Sequence, residues 1–342
     1  MSDVLIRQTK VAGHITLNRP QALNALTHQM CLDIEAALDQ WAGDASIKCV
    51  VIDAAGERAF CTGGDIVNMY RGGIKGDIGP LRQFWRDEYR LNAKIATYPK
   101  PYVAFTHGYT MGGGVGVSAH GSHWIVTDST RFAMPECAIG LIPDVGGTKI
   151  LSEMEGSLGM WAGLTGARIT GKNCVALGMA KSYLPEDAFS EVKEKVLTDG
   201  DVSVLDGPSP ALDLPKDEIN AVFGLGSVDE ILAALGSADG EWADWARKGV
   251  AHAAPLSLLA TKKLIEMAKG HGIQTALRNE YRYCSMAALD GEFLEGVRAA
   301  LIDKDRNPQW RFKTLADVPS EQLERLMEPA ADGDFEYKEA WQ

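Results

Sequence analysis

Two carboxylates, Glu136 and Asp144, sit eight positions apart in the run "RFAMPECAIGLIPDVGG" (131–147), which is otherwise apolar and rich in Gly and Pro. A buried acid costs several kcal/mol unless it is paired or hydrogen-bonded, so acids are normally kept out of such runs. Either these two face solvent or they do chemistry. Two acids in unlike surroundings can pass protons to and from a substrate, or one of them can attack an electrophilic carbon. A plainer alternative is structural: Asp144 caps a helix starting in "VGGTKIL", and Glu136 is a first-turn helix residue behind Pro135.

Two glycine-rich turns are the other candidates, "AFCTGGDI" (59–66) and "HGYTMGGGVGVS" (107–118). Each follows an expected strand, and glycine lets the backbone approach a ligand and aim N–H groups at it. The second also opens an expected helix, whose free N–H groups favour developing negative charge. Either turn alone could be no more than a turn. Neither contains the G-x-x-x-x-G-K-[ST] phosphate loop or a dinucleotide fingerprint, which disfavours ATP and NAD. No G-x-S-x-G elbow is present, and Ser118 and His120, at i and i+2, point apart on a helix, so a serine hydrolase triad is not expected. His120 and His123 in "HGSH" lack an accompanying carboxylate motif, and no metal is assigned. Trp242 and Trp245 read as packing or interface residues.

Composition narrows the classes further. The 342 residues are 46% hydrophobic and 23% charged, which suits one large globular domain or a domain with an appendage. A net charge of -12 disfavours nucleic acid as a partner. "MSDVLIRQTK" has no apolar signal region and no stretch is long enough for a membrane span, so a soluble, cytoplasmic protein is expected. The six cysteines (31, 49, 61, 137, 174, 284) show no C-x-x-C spacing and read as reduced thiols.

The elements that must position these residues follow from periodicity. "DVLIRQ" and "HITLN" read as a hairpin. "THQMCLDIEAALDQWAGD" reads as a helix capped by Thr27 and stopped by Gly43. "CVVIDAAG" reads as a buried parallel strand. Strand, helix and strand alternate again through "PYVAFTHGY", the helix-like "VGVSAHGS" and "HWIVTDSTRFAMPE", which is α/β alternation. From about 148 helices dominate, with runs at 218–235, 241–250, 256–269, 274–289 and 292–303. The organisation expected is an α/β core over 1–200 and a helical C-terminal region over 201–342.

"AFCTGGDI", "HGYTMGGGVG", "FAMPECAIGLIPDVGG" and "LTGARITGKNCVALGMA", in this order and spacing, resemble the crotonase (enoyl-CoA hydratase/isomerase) superfamily over almost the whole chain. The C-terminal "LDGEFLEGVRAALIDKDRNPQW" and the length further resemble one branch, the 3-hydroxyisobutyryl-CoA hydrolases. The resemblance implies a crotonase-like ββα spiral core, with Gly64 and Gly113 supplying the N–H groups of an oxyanion hole for an acyl-CoA thioester. Thr62, Asp65 and Ile66 fall beside the first turn as substrate-binding positions. Glu136 matches one of the two catalytic glutamates of the hydratases, but Gly116 stands where the second would lie. In the hydrolase branch the second acid comes from "PDVGG", here Asp144, and Glu88 in "RDEYRLN" matches a pocket-lining glutamate.

The reaction so implied is hydrolysis of a 3-hydroxyacyl-CoA, with 3-hydroxyisobutyryl-CoA of valine catabolism the leading substrate. Coenzyme A is then part of the substrate and no separate cofactor is expected. Two other readings stay open: an enoyl-CoA hydratase or isomerase on the same scaffold, and a CoA-binding or assembly protein with no turnover. Relatives of this kind form trimers or paired trimers through the helical tail, so a homo-oligomer is expected. Val67 and Asn68 stand where many relatives carry a basic residue for the CoA phosphates, with Arg71, Lys75 or a basic residue of the tail as replacements.

Overall fold

The first two strands pair as their alternation requires. In a computed structural model describing residues 2–330 and 333–337, β1 (Val4–Gln8) and β2 (Ala12–Leu17) form an antiparallel hairpin. The chain then runs through helix α1 (His28–Ala42), β3 (Cys49–Ala54), β4 (Ala59–Cys61), helices α2 (Ile66–Gly73) and α3 (Gly79–Ala96), β5 (Tyr102–Phe105) and β6 (Tyr109–Met111). One helical turn, α4 (Gly113–Gly116), leads to β7 (His123–Val126) and β8 (Arg131–Ala133), then to helix α5 (Gly147–Ser152) and the short β9 (Ile169–Thr170) and β10 (Ser182–Tyr183). Strands β1-β2-β3-β5-β7-β10 make one sheet and β4-β6-β8-β9 a second. Consecutive strands β3 to β8 therefore alternate between the two sheets, so the chain climbs as the ββα spiral that the motifs imply.

Strand β3 is apolar from Cys49 to Ile52 because both its faces are covered there, and its one acid, Asp53, accepts from the Thr16 hydroxyl at 2.6 Å and from Lys193 at 2.7 Å. Val50 and Ile52 join the main core, while Cys49 and Val51 pack with Val103, Phe105 and Ile125 against Val196 and Leu197 of the Glu186–Asp199 helix. Helix α1 buries Met30, Ile34, Leu38 and Trp41 at helical spacing; the Thr27 hydroxyl accepts from Met30 N–H at its start, and Gly43 ends it. Cap and stop are those the sequence indicates.

The segment "VGVSAHGS" departs from the helix expected there. Only Gly113–Gly116 is helical. Ser118 Oγ turns back to donate to the Gly114 carbonyl at 2.6 Å, a bond that competes with continuation of the helix. No long helix dipole stands behind this turn, so its usefulness to a ligand lies in its free N–H groups alone.

Beyond α5 the fold is helical apart from β9 and β10. The run expected at 218–235 divides into Lys216–Phe223 and Val228–Ser237, the second opened by a Ser227–Glu230 capping box. The Ile273–Asp290 helix packs along α3, with the Tyr89 and Tyr281 rings edge to face at 6.5 Å. The Glu292–Val297 helix and the π turn Arg298–Ile302 then fold back over the Glu136–Ile139 turn of their own chain. Glycine is obligatory at that crossing, since a Cβ on Gly296 would lie 2.3 Å from the Ile139 carbonyl oxygen. The tail that the resemblance assigns to assembly thus roofs its own core.

Helix α3 presses equally hard on α4. A Cβ on Gly116 would lie 2.6 Å from Asn92 Nδ2 and 2.9 Å from Val145 Cβ. Gly116→Ala is expected to cost about 1–3 kcal/mol, the usual penalty for overpacking, and Asn92→Ala in the same chain should recover part of it. Urea unfolding checks this; a Gly116→Ala protein as stable as wild type would mean that the α3–α4 contact has slack.

Candidate active site

All eight site residues indicated by the sequence, Thr62, Gly64, Asp65, Ile66, Glu88, Gly113, Glu136 and Asp144, line one cavity of about 590 Å³. It opens where β4, β6 and the 135–145 segment end, with Phe84, Trp85 and Glu88 of α3 on one wall and Ala300 and Leu301 of the π turn at its rim.

The two glycine turns meet inside it. A Cβ placed on Gly113 would lie 3.4 Å from Gly64 N and only 2.5 Å from Glu88 Oε1, so the two N–H groups and an acid crowd one point that only glycine can share. Neither Gly64 N–H nor Gly113 N–H donates to an acceptor among the described residues. On the other side, Glu136 Oε1 would lie 3.0 Å from a Cβ on Gly112. Two free backbone donors are therefore flanked by two carboxyl groups, Glu88 and Glu136.

Each acid is delivered by a different element. Pro135 starts the 3-10 turn Glu136–Ile139, and Gly140 ends it in the left-handed region. Glu88 lies on the inner face of α3. Asp144 follows Pro143 in the turn before α5, and its Oδ2 accepts from the Tyr89 hydroxyl at 2.7 Å. The capping alternative for Asp144 fails: α5 starts at Gly146–Gly147 without it, and the Thr148 N–H is bonded instead to Glu280 Oε1 at 3.0 Å. Asp65 does double duty, capping α2 through Asn68 N–H and pairing with Arg19 at 3.1 Å.

Glu88, Glu136 and Asp144 are 2, 7 and 6% exposed, and Glu88 Oε1 and Glu136 Oε2 have no hydrogen-bond partner among the described residues. Burial, then the charge of Asp144, pushes both glutamates well above the usual carboxylate range. Burial also lifts Asp144, but the Tyr89 hydroxyl restrains it to about 6. With the Tyr89 hydroxyl donating to it, Asp144 is the member of the trio whose ionised form its surroundings favour most. Such a set can accept a proton at one oxygen and supply one from another.

Of the two histidines in "HGSH", His120 bonds the Val145 carbonyl and His123 bonds Ser122; no group of three or more candidate metal ligands occurs among the described residues. Trp242 packs on Phe223, whereas Trp245 is 59% exposed. Four contributors escaped the sequence reading: Tyr89, Asn92, Glu280 and the roofing Ala300–Leu301. Glu280 was detectable, because with Ala276, Leu277 and Cys284 it occupies the apolar stripe of its helix.

The enoyl-CoA hydratase/isomerase family model matches residues 12–327. The chain belongs to that family. Within it, a curated relative from Danio rerio named 3-hydroxyisobutyryl-CoA hydrolase, mitochondrial, is 40% identical over 98% of this chain and 91% of its own. Among solved structures, an enoyl-CoA hydratase from Rhodobacter sphaeroides 2.4.1 is 44% identical with a TM-score of 0.94, covering 98% of this chain and all (100%) of its own. A carnitinyl-CoA dehydratase from Mycobacterium thermoresistibile is 39% identical with a TM-score of 0.93, covering 99% of both chains. The crotonase-type fold and its helical C-terminal region are shared with both. No helix among the described residues is long and apolar enough to cross a membrane.

For this family member the raised acids have a consequence for stability. A carboxyl group raised in the folded state contributes stability that is full below its unfolded value and is lost as the pH climbs through its folded value. For Asp144 that window ends near pH 6, and for Glu136 it lies higher still. Glu136→Gln removes a buried group that resists ionisation, so its melting temperature relative to wild type should be more favourable at pH 8 than at pH 5. Circular dichroism melts at the two pH values check this; equal differences would show that Glu136 is not held protonated by its surroundings.

Proposed function

We propose that this protein hydrolyses the thioester of a 3-hydroxyacyl-CoA, with 3-hydroxyisobutyryl-CoA the leading substrate, to the free acid and coenzyme A. The observation that carries the reading is the placement of the acids. Glu88, Glu136 and Asp144 surround the free Gly64 and Gly113 N–H groups, while residue 116 is a glycine whose side-chain space Asn92 fills. Hydration of a double bond in this family calls on a second glutamate at that place on α4, and there is none. Hydration and dehydration are the activities named for the two solved structures, whereas the hydrolase activity named for the Danio rerio relative agrees with the acid placement seen here.

In this mechanism the thioester carbonyl oxygen lies between the two N–H groups, which stabilise the negative charge it gains; one such donor is typically worth about 3 kcal/mol. Glu136, once its proton has passed to another member of the trio, either takes a proton from the attacking water or attacks the carbonyl carbon itself. The carbon–sulfur bond then breaks and the leaving thiolate takes a proton from a protonated member of the trio. Where attack is direct, water opens the acyl–Glu136 anhydride. Asp144, fixed by Tyr89, binds the 3-hydroxyl of the acyl group or relays the proton. A CoA-binding protein without turnover has no use for three buried acids that pair with no cation among the described residues, each of which costs stability. A cytoplasmic location is part of the proposal: the six free, buried cysteines suit a reducing compartment, and cell fractionation tests it against the mitochondrial address in the relative's name.

The test is an acyl-CoA panel scored in one tube for thiol release and for hydration. Hydrolysis of 3-hydroxyisobutyryl-CoA should exceed hydration of crotonyl-CoA by orders of magnitude, and a hydration rate at or above it would sink the reading. Glu136→Gln should lower kcat about 1,000-fold or more on every thioester, as expected when a nucleophile or base is neutralised. Asp144→Asn should penalise hydroxylated substrates more than their unhydroxylated counterparts, because an unmatched buried hydrogen-bond partner costs only where the hydroxyl is present.

A further inference from the structure

The turn that carries Asp144 is strained and held from behind. Val145, a β-branched residue, has φ 54°, in the left-handed region that such side chains avoid, and Gly146 follows at φ 79°. Three contacts hold this shape. His120 Nε2 bonds the Val145 carbonyl oxygen at 2.6 Å. Glu280 Oε2 accepts from Gly146 N–H at 2.7 Å. Glu280 Oε1 accepts from both Thr148 N–H, at 3.0 Å, and the Thr148 hydroxyl. A Cβ on Gly146 would lie 2.7 Å from the His120 ring, so the turn can take no other residue there without moving its clamp.

Glu280 is an odd choice for a mere helix cap. It is fully buried and no cation contributes to its stabilisation. Burial pushes it up to about 8 although three donors favour its ionised form. A threonine or asparagine could satisfy one amide at lower cost. A carboxyl group does what a single oxygen cannot: its two oxygens bridge Gly146 and Thr148, fixing the chain immediately after the strained residue. One turn further along the same helix, Cys284 Sγ lies 3.3 Å from the Tyr89 hydroxyl, the group that bonds the Asp144 carboxyl. One face of the Ile273–Asp290 helix thus supports Asp144 twice, through its backbone and through its side-chain partner.

We infer that Glu280 is a positioning residue for Asp144: by bridging Gly146 and Thr148 it holds the left-handed turn at Val145 that presents the Asp144 carboxyl to the cavity. The inference rests on the proposed role of Asp144 in thioester hydrolysis. Glu280 itself does not line the cavity and touches no substrate.

The experiment is a double-mutant cycle on the full-length protein with 3-hydroxyisobutyryl-CoA, measuring kcat, KM and the melting temperature. Glu280→Gln keeps the shape but turns an NH2 group toward at least one of the donors. It should lower kcat about 10- to 100-fold, the range for loss of a group that orients a reacting one, with KM moved less than about threefold on the same argument. In an Asp144→Asn background the same change should cost less than about threefold further, because the group it positions is gone. Thr148→Val, which removes one of the three donors, should give a smaller loss with the same dependence on Asp144, and it decides the matter if Glu280→Gln does not fold. Equal losses in both backgrounds, or a Glu280→Gln enzyme within threefold of wild type, overturn the inference while leaving the hydrolase reading intact. If Asp144→Asn alone turns over like wild type, the role of Asp144 falls and the inference falls with it.

Discussion

Glu88, Glu136 and Asp144 share a cavity in which no cation among the described residues pairs with them, Arg19 of the lining being paired with Asp65, and their mutual repulsion together with burial disfavours charging all three at once. Left to relax, such a set would separate, turn toward solvent or recruit a lysine or arginine. It persists because each member is fixed by an element that cannot yield. The Glu136 turn is wedged beneath Gly296, the Asp144 turn is clamped by His120 and Glu280, and Glu88 is carried by an 18-residue helix. Strain of this kind survives only where the surroundings over-determine it, and it then provides reactive groups already poised for substrate.

Helix α3 separates the two electrostatic regimes. On its outer face Arg90 forms a fork with Glu35 of α1 (Nε to Oε1 at 2.7 Å, the second amine to Oε2 at 2.5 Å), and His28 bonds Asp87 at 2.6 Å. Lys94 reaches Asp39 at 2.6 Å and Glu35 at 3.0 Å. Burial opposes ionisation of Asp87 too, but Gln83, His28 and Arg90 outweigh it and its carboxyl falls below the usual range. Its neighbour Glu88, turned inward, is pushed the other way. Two adjacent acids in one sequence are thus pushed in opposite directions because the helix points one at cations and the other at the cavity. The outer network also locks the rotation of α3 that decides where Glu88 points.

Much of this was legible in the sequence because the deciding features are local. The caps of α1, the apolar β3, the glycine turns and the acids in an apolar run each carry their signal within a few residues, and the order of the motifs supplies the spiral. What was not legible is contact between distant segments. Nothing near "VGVSAHGS" says that Ser118 will turn back and end the helix after one turn. Nothing near "PDVGG" says that the Gly146 and Thr148 amides are met by a carboxyl group 134 and 132 residues further on. The tail gave a clear helical period but no hint that Ala300 and Leu301 return to the rim of the cavity, since periodicity reports which face of a helix is buried and not what buries it. Tyr89 was hidden by its own ordinariness, an aromatic residue in a helix being core by default.

The exchange between α3 and α4 ties the fold to the choice of reaction. Glu88 and Asn92, one turn apart on α3, fit against Gly113 and Gly116, one turn apart on α4. The matched spacing means that each glycine on the short helix makes room for one side chain of the long one. An acid at position 116 would have to displace Asn92 and Val145 together, and Val145 belongs to the strained turn that presents Asp144. The Asn92 amide, with neither its nitrogen nor its oxygen bonded among the described residues, fills that space with a polar group that cannot ionise. The cavity acids thus sit not on the four-residue turn but on α3, the Glu136–Ile139 turn and the clamped 143–148 segment. One substitution at position 116 therefore has no room for a second glutamate on α4, because the helix whose Asn92 fills that space is the same helix that delivers Glu88.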